Sequence, residues 1–123
     1  MPSKPVVLDT NLLLLLSVGE TDRSLIGKHK RLQAYEQVDF DDLLDIVSRS
    51  GGLLLCPNVV SETSNFVRHI HQQAAIQISH TLKVIVERFS ERFIESRQAV
   101  ANAAYLRLGV TDAVLLTLAS TDA

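Results

Sequence analysis

Two short apolar runs, separated by a helical segment, constrain the fold of this chain most strongly. The runs cover residues 6–8 and 52–56, and in neither do polar side chains alternate with apolar ones. A continuous apolar run is typical of a strand that is buried on both faces. Because a helix separates the two runs, we expect the strands to be parallel. The sequence therefore predicts an α/β fold with a central parallel sheet.

Apolar residues at helical spacing predict the elements around this sheet. Their ends are marked by capping residues, by proline and by glycine. The predicted helices are a short one over Leu12–Leu16 capped by Asn11, one over Phe40–Val47 capped by Asp39 and ended by Gly51 and Gly52, one from Pro57 to about His71, one from Gln73 to about Ser96, one from Ser96 through Leu106 ended by Gly109, and one capped by Thr111. Helices on both faces of the sheet would give a three-layer α/β/α domain.

Length and composition are those of one folded domain. The chain has 123 residues, of which 46% are hydrophobic and 21% are charged, which is unlike a disordered protein. A net charge of −2 argues against nonspecific coating of nucleic acid but is compatible with a local basic groove. The single cysteine, Cys56, cannot form an intramolecular disulfide. We therefore expect a buried thiol and a reducing, cytoplasmic location.

The apolar N-terminal region is not expected to be a signal peptide or a membrane span. Asp9 and Asn11 interrupt it, and it is much shorter than the ~20 apolar residues that cross a bilayer. We interpret it as a core strand followed by a helix.

Three acidic residues from separate segments are the strongest functional signal. Asp9 ends the first apolar run, Glu62 lies within the helix opened by Pro57, and Asp112 stands at the start of the last helix. Carboxylates that converge repel one another unless a cation or protons neutralise them. The pattern predicts a hard-cation site. Each acid alone also has a structural explanation: Asp9 as a helix cap, Glu62 as a solvated helix residue, and Asp112 as a charge at the positive end of a helix.

The three segments that carry these acids resemble the PIN-domain ribonucleases in order and approximate spacing. They are VLDTN at residues 7–11, CPNVVSETSN at 56–65 and LGVTDA at 108–113. The resemblance covers nearly the whole chain and implies the same three-layer fold. In that family the acids hold Mg²⁺ or Mn²⁺ and cut single-stranded or loop RNA. Many bacterial members are VapC-type toxins that are paired with an antitoxin protein.

Carried over by position, the resemblance makes Asp9, Glu62 and Asp112 the catalytic, metal-binding acids. It implies RNA as the substrate, an antitoxin as a partner, and products with a 5′-phosphate and a 3′-hydroxyl. The polar residues that would support the acids are Thr10, Asn11, Asn65 and Thr111. The basic cluster Lys28, Lys30 and Arg31 is expected either to contact RNA phosphates or to form a solvated loop.

The chain departs from the family pattern near residue 123. A PIN domain normally continues from the helix at Asp112 into another strand that ends in a further acid. Asp122 follows too closely to be that acid. The expectation is thus a single PIN-like domain over residues 1–123, truncated at its C-terminus, with an exposed strand edge that favours a homodimer.

Two other functions remain open from the sequence. One is a noncatalytic PIN-like module that binds protein or RNA. The other is a haloacid-dehalogenase-like phosphohydrolase with Asp9 as nucleophile, although that mechanism usually needs an acid two residues later, where this chain has Asn11. His69 and His71 do not form a metal-binding pair, because residues two apart on a helix point in different directions.

Overall fold

The computed structural model describes residues 3–121, and most of them are helical. The helices are α1 (Thr10–Thr21), α2 (Gln37–Arg49), α3 (Pro57–Val67), α4 (Gln72–Arg88), α5 (Ser96–Val100), α6 (Tyr105–Leu108) and α7 (Val110–Thr121). Two 3₁₀ helices, Arg23–Lys28 and Lys30–Leu32, connect α1 to α2, and the strands are β1 (Leu54–Leu55) and β2 (Ser90–Glu91). No helix in the described range is long and apolar enough to cross a membrane.

The first apolar run pairs with the second, but only over a very short length. Val6 forms a single parallel bridge to Leu53. Its backbone N–H donates to the carbonyl of Gly52, and its carbonyl accepts from the N–H of Leu54, both at 2.9 Å. On the other side, β1 and β2 pair in parallel over two residues each. The parallel direction expected from the sequence is therefore present in a minimal sheet.

The predicted three-layer α/β/α fold with a central sheet is wrong. The structure is 69% helix and 5% strand, and its sheet has two strands. Helix starts follow directly after both apolar runs and limit the strands: Asp9 caps α1 immediately after Leu8, and Pro57 opens α3 two residues after β1 ends. The apolar side chains are consequently buried mainly against helices.

α1 is the central helix of the core. Residues 13–19 are all buried, and α1 packs against α2, α3 and α4. A helix that is apolar on all sides is typical of a buried position. Gly19 permits a close approach of α2, because a Cβ atom at this position would lie only 2.2 Å from Cδ1 of Phe40.

Several predicted helix ends are also corrected. Asp9, not Asn11, caps α1. Asp39 lies in the first turn of α2 and accepts from the backbone N–H of Glu36 at 2.8 Å, so it stabilises this helix end from within. Thr111 is inside α7, which begins at Val110.

The remaining differences concern helix lengths. α3 ends at Val67 instead of near His71, and the helix that begins at Ser96 ends at Val100. α4 ends at Arg88 rather than near Ser96, because the chain becomes extended at Phe89 and forms β2. Apolar residues continue at helical spacing past Arg88, so the sequence pattern does not show where α4 ends.

Candidate functional site

Asp9, directly after the first apolar run, is the N-cap of α1. Its Oδ1 accepts from the backbone N–H of Leu12 at 2.9 Å and caps α1. Asp9 is nevertheless exposed, and its second oxygen, Oδ2, makes no hydrogen bond or ion pair among the described residues. The cap therefore fixes the carboxylate while leaving one oxygen available.

All three predicted acids line one open cavity of about 340 Å³. Its walls come from the start of α1, the second turn of α3, and the segment that joins α6 to α7. The lining residues are Asp9, Thr10, Asn11, Glu62, Leu108, Gly109, Val110, Thr111, Asp112 and Leu115. We call this cavity the acid pocket. It also contains three of the four predicted supporting residues.

The short sheet explains why two of these acids meet. The carboxyl ends of parallel strands lie at the same edge of a sheet. Asp9 follows the first extended segment, and α3, which carries Glu62, follows β1. α7 packs against α3 and supplies Asp112 from its first turn. The positive φ of Gly109, 89°, allows the sharp turn before α7, since this backbone conformation is costly for residues with a Cβ atom.

The acids share a pocket without forming a compact three-ligand cluster. Among residues 3–121, no group of three His, Cys, Asp or Glu side chains is arranged to hold one metal ion directly. The chemistry of the donors nevertheless suits Mg²⁺ or Mn²⁺, which prefer oxygen ligands, and Mg²⁺ usually keeps several of its waters.

Asn65 is the predicted supporting residue that lies elsewhere. It is exposed on α3 and does not line the acid pocket. A larger cavity of about 590 Å³ is lined by α4 and by the segment between α3 and α4, but its ionisable lining residues are Arg68, His80 and Lys83. A pocket without a carboxylate does not suit a cation, so size does not identify the candidate metal site.

The basic cluster packs against α3 rather than forming a free loop. Lys28, Lys30 and Arg31 are exposed, but the backbone N–H of Lys30 donates to the carbonyl of His69 at 3.1 Å. The guanidinium carbon of Arg31 lies 3.9 Å from the centroid of the Phe66 ring. This surface therefore has a defined position beside α3.

His29 anchors the same segment from inside. Its side chain is fully buried, and its Nδ1 accepts from the backbone N–H of Arg31 at 3.1 Å. The ring stacks on His69 with 6.5 Å between centroids. Burial lowers the pKa of His29, while the nearby backbone of Val67 and Phe66 opposes this shift. The neutral ring is therefore favoured. No pattern in the sequence indicates this structural role.

Tyr35 is a residue near the site that sequence reasoning missed. Burial raises its pKa, and the negative charges of Asp9 and Asp39 raise it further. The phenol thus lies within electrostatic reach of an acid of the pocket. The position of Tyr35 depends on the 3₁₀ helix that precedes α2. No residue spacing in the sequence indicates this position.

Cys56 is buried, as expected for a small core residue. Burial also raises the pKa of its thiol, which keeps it protonated and unreactive near neutral pH. It contributes packing at the start of α3 rather than chemistry.

Comparison of the chain with protein-family models, curated proteins and solved structures finds no match. The resemblance to PIN-domain ribonucleases therefore rests on the three sequence segments alone. The fold and the acid pocket must be judged on their own geometry.

Proposed function

We propose that this protein is a metal-dependent endoribonuclease. The observation that carries the proposal is that Asp9, Glu62 and Asp112, from three separate segments, line one open pocket. Thr10, Asn11 and Thr111 line the same pocket and add oxygen donors that suit a hard cation. The sequence resemblance supplies RNA as the substrate class.

The residues of the pocket would divide the work as follows. Asp9 is held by its bond to Leu12 and offers its free oxygen as a ligand. Glu62 and Asp112 offer carboxylates from α3 and α7. Held by these acids, Mg²⁺ or Mn²⁺ would supply the charge that neutralises a phosphate and would make an attacking water more acidic. The chain itself contributes the positions of the three carboxylates.

The test is cleavage of end-labelled RNA with Mg²⁺ or Mn²⁺ and with a chelator. Asp9→Asn is the decisive variant, because asparagine also caps helices well and should preserve α1 while removing the charge. We expect Asp9→Asn, Glu62→Gln and Asp112→Asn each to reduce cleavage by at least about 100-fold, the scale of one strong electrostatic contribution. Asp42→Asn, at an exposed position of α2, is the matched control and should remain active.

Cleavage that persists with the chelator, or that survives all three substitutions, would contradict this assignment. By resemblance, the products would carry a 5′-phosphate and a 3′-hydroxyl, and the protein would be the toxin of a cytoplasmic toxin–antitoxin pair.

A noncatalytic RNA-binding module is the second candidate. It is favoured by the finding that no three acids of the described residues form a direct metal-binding group. Such a module would bind RNA equally well with and without a chelator and would leave it intact.

A further inference from the structure

Arg31 contacts α3 through Phe66, on the helix that also carries Glu62 of the acid pocket. Phe66, which the guanidinium covers, follows Glu62 by four residues, so the two side chains share a face of the helix. Their separation along the helix axis is about 6 Å. This step is comparable to the distance between neighbouring phosphates of an extended nucleic-acid strand.

The side chain of Arg31 is held in place before any ligand binds. Its guanidinium lies on the Phe66 ring, and that ring contacts His69 edge-on with 5.7 Å between centroids. Its backbone N–H donates to buried His29. A long flexible side chain that is already ordered loses less entropy on binding.

The charge of Arg31 is also not neutralised. Within residues 3–121 no acid forms an ion pair with it, whereas Arg23 pairs with Asp41 and Arg49 pairs with Asp45. An exposed guanidinium with a free planar edge is suited to bidentate binding of a phosphate. Arg31 thus differs from Arg23 and Arg49 in both position and pairing.

The segment that carries Arg31 also carries buried His29 and ends at Tyr35, which packs against the hydrophobic core. We call residues 29–35 the 29–35 arm. The contact of Arg31 with Phe66 places this arm against α3.

We propose that the 29–35 arm forms a phosphate subsite for single-stranded RNA, in which Arg31 binds the phosphate next to the one in the acid pocket. Phe66 is its positioning residue. Single-stranded RNA can place neighbouring phosphates along one face of α3. In a duplex, the second strand would also have to fit against the 29–35 arm. This inference rests on the proposed ribonuclease function, because it takes the acid pocket as the place of the scissile phosphate.

The test measures binding apart from cleavage. A fluorescent single-stranded oligoribonucleotide of mixed sequence is titrated with the Asp9→Asn protein in a chelator at several salt concentrations. Adding Arg31→Met should weaken binding about tenfold at low salt and reduce the slope of log affinity against log salt by about 0.7, the value for one phosphate contact on a single strand. A merely structural role for Arg31 would not change that slope.

Arg49→Met is the control for loss of one arginine charge away from the acid pocket. Arg49 ends α2, near the start of the first extended segment. The backbone N–H of Gly51, two residues later, donates to the carbonyl of Lys4, near the start of the first extended segment. Asp9 lies five residues beyond Lys4, which is roughly 16 Å in extended chain. Arg49→Met should leave the salt slope unchanged.

Phe66 tests the positioning role. Phe66→Leu keeps the charge of Arg31 but removes the ring and should weaken binding several-fold, whereas Phe66→Tyr keeps the ring and should restore affinity. In the cleaving protein, Arg31→Met should raise KM much more than it lowers kcat, because this contact holds a phosphate that does not react.

The outcomes separate the two proposals. An unchanged salt slope in Arg31→Met, or no RNA binding by the Asp9→Asn protein, overturns the subsite. A reduced slope in a protein that never cleaves RNA with Mn²⁺ supports the subsite and defeats the ribonuclease assignment. Metal-dependent cleavage together with an unchanged salt slope supports the ribonuclease assignment and defeats the subsite.

Discussion

His29 shows how a single buried side chain can position an exposed basic segment. It is fully buried and connects the backbone of Arg31 to the end of α3 through His69. The sequence assigned it no role, because a histidine within a basic cluster resembles a surface residue. Only the 3₁₀ turns of this region place it inside.

The burial of His29 predicts a pH-dependent stability. Its folded-state pKa is lowered, chiefly by burial, with the charges of His69 and Arg31 acting in the same direction. The unfolded chain therefore binds more protons, and stability should be lost as pH falls through the ordinary value of 6.5. Urea denaturation between pH 7.5 and 5 should show this decrease, and His29→Gln should reduce it. His80→Gln, at an exposed site on α4, should not. Equal pH dependence in all three proteins would contradict the prediction.

At the level of elements, the sequence identified helices and strand direction better than strand length. Leu12–Leu16 was correctly interpreted as helical, and the parallel pairing of residues 6–8 with 52–56 was correctly expected. The sheet was overestimated because a continuous apolar run fits a buried strand and a buried helix equally well. Here Asp9 and Pro57 start helices directly after the two runs, so neither run extends into a long strand.

The contact between α1 and α2 gives a sharp test of this packing. Gly19→Ala would place a Cβ atom 2.2 Å from the Phe40 ring, so the helices must separate or the ring must move. Overpacking of this kind typically costs about 1–3 kcal/mol, and we expect a loss of that size in the free energy of unfolding. Gly27→Ala is the control, since nothing lies within 4 Å of its added methyl group. Equal effects of the two substitutions would show that the α1–α2 contact is looser than described.

For the whole molecule, the sequence predicted which acids line one pocket better than it predicted the fold. The sequence named Asp9, Glu62 and Asp112 as one constellation, and the structure places them around one pocket. Asp9 and Asp112 lie at helix starts, and Glu62 lies in the second turn of α3, whose start Pro57 marks. The sequence missed Tyr35 and the Arg31–Phe66 contact because these depend on how the 3₁₀ segment folds back on α3. Long-range placement of an irregular segment leaves no periodic signal.

The acid pocket predicts that a divalent cation stabilises the folded molecule as a whole. A ligand that binds only the native state adds RT ln(1 + [L]/Kd), which is about 1.4 kcal/mol at tenfold excess over Kd. For a domain of this size the increase in Tm is about 5 °C, and scanning calorimetry with and without Mn²⁺ would measure it. Asp9→Asn, Glu62→Gln and Asp112→Asn should each reduce the shift, because each carboxylate lines the same pocket, while Asp42→Asn should retain it. If only one of the three acids affected the Mn²⁺ shift, the pocket would not act as a shared cation site, and the metal-dependent mechanism would lose its physical basis.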